Sequence, residues 1–238
     1  MRRSMRRWTR AVSGPIGALA AISLVACGGD GAIDSRECRD GAMASDNSFL
    51  PFSVGNTWKY RVTRDVGAQP EEKRQELEEE MIPDGETEPV IVQRTVKPEG
   101  ATVSWLRKQG DVIVRLRQED YDPDGVLEQT TVYEPAKIRF DANADHIAEG
   151  AVFEDIYKRT VTDPDGILLS ETDITDQWTV VDADAECQLA WATVSCLRLR
   201  RVRIVGGIAN KEFYFARGYG KVLETGGQTE ELTDCAFD

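Results

Sequence analysis

One histidine, His146, stands in 238 residues. Its scarcity argues against a Ser-His-Asp site, and it leaves zinc a single histidine ligand. Neither a Gly-x-Ser-x-Gly elbow nor a phosphate-binding glycine loop occurs. Five cysteines are present and no two of them form a Cys-x-x-Cys pair, so no zinc ribbon is indicated. No apolar run reaches the roughly 20 residues that a membrane-spanning helix needs. The stretch Ala11 to Ala26 comes nearest, and Gly14-Pro15 interrupts it. Basic residues are outnumbered, 29 against 42 acidic, for a formal charge of −13. Such a chain repels nucleic acid, and no nucleic-acid partner is expected.

What is there starts at the N-terminus. Arg2, Arg3, Arg6, Arg7 and Arg10 precede the apolar stretch, which ends in Leu24-Val25-Ala26-Cys27. Positive residues, a short apolar segment and small residues before a cleavage point make up a secretory signal. With the cysteine in place, this one resembles a bacterial lipoprotein signal peptide and its lipobox. The resemblance implies cleavage before Cys27 and attachment of acyl chains such as palmitate to that residue. The protein would then be anchored to the membrane of the cell envelope through lipid, which holds well when more than one chain is attached. Gly28 stands where an Asp would imply inner-membrane retention, so the resemblance points to the outer membrane, facing either the periplasm or the cell surface. Without residues 1–26 the chain keeps 24 basic and 42 acidic residues, a formal −18. Residues 27–46, rich in Gly, Asp, Ala and Ser, read as a lipidated start and flexible tether. Residues 47–238 read as one β-rich domain, long enough to bury a sizeable core.

Cys38, Cys187, Cys196 and Cys235 remain for an oxidising compartment. Four cysteines allow three pairings. Locality favours Cys187 with Cys196 across a hairpin centred near Trp191-Ala192, which leaves Cys38 for Cys235. His146 lies in a polar loop, Asp141-Ala142-Asn143-Ala144-Asp145-His146, and reads as solvated.

Period-two alternation dominates the rest. Trp58, Tyr60 and Val62 alternate with Lys59, Arg61 and Thr63. Val112, Val114 and Leu116 form one face of another strand, and Val103 with Trp105 a face of a third. The stretches 126–134, 151–162, 167–181, 196–204 and 211–217 are rich in β-branched and aromatic residues. In Leu197-Arg198-Leu199-Arg200-Arg201-Val202-Arg203-Ile204 the apolar phase slips by one residue. A β-bulge near Arg200-Arg201 would restore a common inward face, with the arginines pairing to acids on neighbouring strands. Glu71 to Ile82 suits a charged edge strand or a short helix, and its strand neighbours favour the strand.

Asp122-Pro123-Asp124-Gly125 and Asp163-Pro164-Asp165-Gly166 are the same tetrapeptide, each followed by an apolar pair. Asp first, Pro second and Gly fourth suit a type I turn closing into a glycine bulge. The first copy also matches half of a calcium loop through Asp120, Asp122 and Asp124, with Glu128 at its ninth position. The twelfth position is Thr131, which cannot supply the bidentate carboxylate, and the second copy has Val161 in place of the first Asp. Two hairpin turns account for both copies, and no metal or cofactor is expected.

Two segments resemble the ends of a family of secreted or lipid-anchored bacterial β-domains. One is an aromatic-x-Pro-x-x-x-Gly-Asn-x-Trp-x-Tyr start, here Phe49, Pro51, Gly55, Asn56, Trp58 and Tyr60. The other is a Tyr-aromatic-Ala-x-Gly-x-Gly-x-Val end, here Tyr214, Phe215, Ala216, Gly218, Gly220 and Val222. The resemblance carries fold and no catalytic residue. Gly55-Asn56 would turn the chain into the first strand, and the later glycines would make a closing turn. A ligand lip formed by Tyr214 and Tyr219 is the alternative. The expected fold is all-β, a single curved antiparallel meander or a partly open barrel. The expected function is that of a non-catalytic envelope lipoprotein acting as an interaction or structural module. A carrier of lipid or another apolar ligand in the sheet's concavity is the alternative, and a carboxylate-based hydrolase a distant third.

Overall fold

The computed structural model describes residues 36–38, 43–64, 67–83 and 87–238. Cys27, the signal segment and most of the expected tether lie outside the described residues. Thirteen strands run in order: β1 (Arg36–Glu37), β2 (Thr57–Thr63), β3 (Glu71–Met81), β4 (Val90–Lys97), β5 (Gly100–Gln109), β6 (Val112–Tyr121), β7 (Leu127–Asp141), β8 (Val152–Thr162), β9 (Leu168–Gln188), β10 (Thr193–Val205), β11 (Asn210–Ala216), β12 (Gly220–Thr225) and β13 (Thr229–Phe237). A four-residue helix, α1 (Ala144–Ile147), interrupts them between β7 and β8.

From β2 to β13 each strand pairs antiparallel with the next, and β13 returns to pair with β2. The meander is therefore a closed barrel of twelve strands rather than a partly open one. Closure satisfies the amide and carbonyl rows that an open sheet would leave at its edges. Glu71–Met81 is strand, not helix, because Lys73, Gln75 and Leu77 at every second position are buried inside the barrel. β1 pairs Arg36 with Phe237 and Glu37 with Ala236. The ordered domain thus reaches into the segment expected as tether.

The two motif segments meet at the closure. The Trp58 indole donates to the Tyr219 carbonyl at 2.8 Å, and the Tyr60 hydroxyl to the Lys221 carbonyl at 3.1 Å. Gly220 lies under Trp58: a Cβ there would sit 3.0 Å from the indole nitrogen. Glycine is required at this position for the close approach and for a φ of +86°. Cys38 is joined to Cys235 and Cys187 to Cys196, with Cα separations of 5.1 and 6.0 Å.

The Asp-Pro-Asp-Gly copies are matching hairpin turns. The carboxylates of Asp122 and Asp163 each accept two backbone amides, from Asp124 and Val126 and from Asp165 and Ile167. Gly125 and Gly166 have φ of +81° and +82° with open space around them. Alanine there should cost about 1 kcal/mol through left-handed strain alone, measurable by urea denaturation of either variant. Calcium should leave the melting temperature unchanged, since a ligand selective for the native state must raise it. A rise of several degrees, abolished by Asp120→Ala, would replace the turn reading with a calcium site.

Candidate functional site: the charged interior of the barrel

The barrel interior changes character along its axis. On β9 the inward residues are Ile174, Asp176, Trp178 and Val180, and on β10 they are Leu197, Leu199, Arg201 and Arg203. The register runs unbroken through Arg200↔Thr179, Arg201↔Trp178 and Val202↔Gln177. No bulge lies at Arg200-Arg201, contrary to the sequence expectation; the shifts fall nearer Arg198 and Val205. The apolar phase slips because the inward side itself turns from aliphatic to charged, while Ile204 points outward and is exposed.

The apolar half holds Trp178, Val180, Leu197, Leu199, Phe213 and Phe215, with Phe49 packed on Phe140 at a ring separation of 5.9 Å. Above it lies one ionic group around Asp176, which is fully buried. Arg203 donates to both of its oxygens, at 2.8 and 3.1 Å, and the Tyr157 hydroxyl donates at 3.0 Å. Burial would raise the Asp176 pKa, but the Arg203 bonds and the Arg201 charge outweigh it and hold the carboxyl below its ordinary value. Asp155 stands opposite in register. Burial pushes it up to about 7, against the lowering effect of the Ile138 amide it accepts.

A second group crosses the closure. Glu230 accepts from Lys73 at 2.5 Å and Lys221 at 2.6 Å, and Glu224 accepts from Lys221 and Lys211, both at 2.5 Å. Burial opposes ionisation of Glu230, but Lys221 and Lys73 pull it down to about 2. Lys73 is pushed down to about 7 by burial and by Lys221 beside it. Both members of this ion pair therefore move down, because the carboxylate sits between two ammonium groups while Lys73 faces a like charge. Lys221, held by two carboxylates, moves up despite its burial.

Charge inside the barrel does not balance. Among the described residues, the inward side chains of Lys73, Arg115, Lys137, Arg139, Arg159, Arg201, Arg203, Lys211 and Lys221 outnumber those of Asp120, Asp155, Asp176, Glu224 and Glu230. A small cavity of about 40 Å³ lies at the boundary between the apolar and charged halves, lined in part by Trp58, Gln93, Arg139, Trp178, Arg201 and Lys221. Asp155 and Asp176 line none of the four principal cavities. Asp176, Glu224 and Glu230 each hold cations in place, whereas Asp155 accepts only the Ile138 amide.

Outside the barrel, a groove of about 680 Å³ runs across β5, β6 and β7, lined by Met81, Ile82, Trp105, Leu116, Val132 and Pro135 among others. The Arg117 guanidinium lies over the Trp105 ring at 5.0 Å. Ile82 and Val132 are exposed there.

Two of the four residues weighed for calcium, Asp120 and Asp122, are otherwise engaged. Asp120 accepts from Thr102, Gln118 and Gln129, and Asp122 is committed to its turn. Among the described residues no group of three or more His, Cys, Asp or Glu side chains is placed to hold a metal ion. His146 is tied down, not merely solvated: its Nδ1 is 2.7 Å from Asp141 Oδ2 and its ring stacks on Phe153 at 4.3 Å. Tyr214 and Tyr219 line different surface cavities and form no common lip. The interior cations were not singled out as a group from the sequence. The available signal was Arg201 and Arg203 keeping step with Leu197 and Leu199.

No protein-family profile, no curated protein and no solved structure matches this chain.

Proposed function

We propose that the protein is a lipid-anchored envelope module, attached through acyl chains at Cys27, which acts by presenting the outside of a rigid closed barrel to a protein partner. The observation that carries this reading is the contrast between inside and outside. The cavity between the inward side chains is about 40 Å³, whereas pockets that engulf drug-sized ligands run to roughly 300–1,000 Å³. The outer groove at Trp105 is of that larger size. A carrier that swallows an acyl chain would need the interior to be hollow, and this interior is filled with side chains.

The partner that fits is a basic segment bearing apolar side chains. Among the described residues the barrel turns more cations than carboxylates inward, so the outside is more acidic than the sequence total implies. Long-range attraction would gather a cationic partner, and the Trp105 groove would supply the apolar contact.

Native mass spectrometry of the protein taken from its own envelope tests both parts. The N-terminus should carry acyl chains at Cys27, Cys27→Ser should release the protein from the membrane fraction, and the domain freed from its lipidated N-terminus should retain no lipid. A photo-crosslinker at Leu116 should capture a basic partner, with capture lost in Trp105→Ala and at high salt. An unmodified N-terminus would overturn the anchor, and a lipid retained by the freed domain would promote the carrier.

A further inference from the structure

Guanidinium groups stay protonated inside proteins, so the imbalance around Arg115, Arg139 and Arg201 cannot be relieved by losing protons. Arg115 hydrogen-bonds to the neutral Gln118 side chain, and its Nε has no partner. Among the described residues, no carboxylate lies within ion-pair distance of Arg115 or Arg139. The nearest strong influence on Arg139 is Arg115, a like charge, which with burial lowers Arg139 to about 10. Arg201 is 8% exposed and reaches Asp176 only at 3.9 Å. Its guanidinium is flanked by the rings of Trp178 and Phe213, at 5.4 and 5.3 Å.

The same cavity gathers unsatisfied donors. Arg201 Nε and Trp178 Nε1 are both buried without a hydrogen-bond partner, and both residues line it beside Arg139. Trp178 is 3% exposed. A buried donor left unpaired costs roughly 1–3 kcal/mol, and an uncompensated buried charge more. Such costs recurring at one spot indicate a missing acceptor. The space suits it, since a single water needs about 10–15 Å³ measured in this way and about 40 Å³ is present. The Gln93 amide also faces the cavity with its Oε1 unpaired. Rotating that amide by half a turn exchanges acceptor for donor and adds one more N–H to the set.

We propose that the barrel encloses one small monovalent anion, of chloride to formate size, held by the Arg139 and Arg201 guanidiniums and the Trp178 indole N–H. Its chemistry is that of a compact single charge accepting three or more donors inside the barrel. Sulfate and longer carboxylates do not fit. The anion offsets part of the interior's excess positive charge and couples the apolar half of the barrel to the ionic half, so the folded state depends on which anion the medium offers. This proposal concerns the interior and is independent of the partner reading for the outer groove.

The test uses the mature protein exchanged into sodium gluconate. Chloride, bromide or formate added at constant ionic strength should raise the melting temperature saturably, as a ligand of the native state must, while sulfate should not. Bromide should quench tryptophan fluorescence over the same concentration range, and Trp178→Phe should diminish that saturable quenching. Arg201→Gln should weaken binding about tenfold or more, the loss expected for a charge-assisted hydrogen bond. Should that variant fail to fold, crystals of the unmodified protein in bromide decide the matter: an anomalous peak between Arg139, Arg201 and Trp178 is expected. Water alone at that position, or a melting temperature that follows ionic strength without regard to the anion, would overturn the proposal.

Discussion

Replacing Cys38 and Cys235 together by alanine should remove about 5 kcal/mol of stability, and replacing Cys187 and Cys196 about 2–3 kcal/mol. The difference follows from loop length. The first bridge spans a sequence separation of 197 residues and the second only 9. A cross-link stabilises chiefly by denying the unfolded chain its open conformations, and a longer closed loop denies more of them. The two-residue strand β1 offers little of its own: its described register is Arg36 with Phe237 and Glu37 with Ala236. Cys38 and Cys235 are both buried in the same apolar cluster as Trp58. Urea unfolding of each double variant, with the other bridge intact, checks the ordering. A short-loop variant as unstable as the long-loop one would refute the entropic account.

Glu230→Gln should cost about 3–5 kcal/mol at pH 6, the penalty for stranding a buried charge. The substitution keeps the shape and leaves Lys73 without a carboxylate and Lys221 with Glu224 alone. The pH dependence identifies the cause. The native carboxyl is pulled down to about 2, below its value in the unfolded chain near 4.3. Its contribution is therefore fully present above that unfolded value and is lost as pH falls through about 2. The gap between variant and native protein should close over that window. Lys73 has the opposite sign. Its native value of about 7 lies below the unfolded one, so its burial weighs on the fold below pH 7, and stability should rise from pH 7 towards 10. Guanidine denaturation at pH 3, 6 and 9 reads all three regimes. A Glu230→Gln cost that ignores pH would mean lost packing instead of lost charge.

Most strands were legible where one face is apolar, as in Trp58, Tyr60 and Val62. The hairpin turns were legible because Pro and Gly each demand a particular backbone shape. β4, β12 and β13 gave weaker signals. In β4 the run Val90-Ile91-Val92 is buried on both faces, which erases the alternation. In β12 and β13 the inward side carries Lys221, Glu224 and Glu230, so a rule that places charge outside assigns the wrong face. The bulge expected at Arg200-Arg201 fails for the same reason. Polar periodicity looks alike whether the polar side faces water or other charges, and only the partners distinguish the two. The ion groups link residues as distant as Lys73 and Glu230, separated by 157 positions. No local reading of the chain pairs them.

The pairing of β2 with β13 also sets a schedule. The Trp58 and Tyr60 side chains bond to carbonyls 161 residues away, and β2 finds its second neighbour only in the last nine-residue strand. A ring cannot be sealed from one end. During synthesis, β2 waits with one edge unpaired until β13 arrives. Contacts so distant along the chain slow folding, so the closing pair forms after the pairs between successive strands. Closure then becomes a single late event, in which β13 completes the barrel that β2 began.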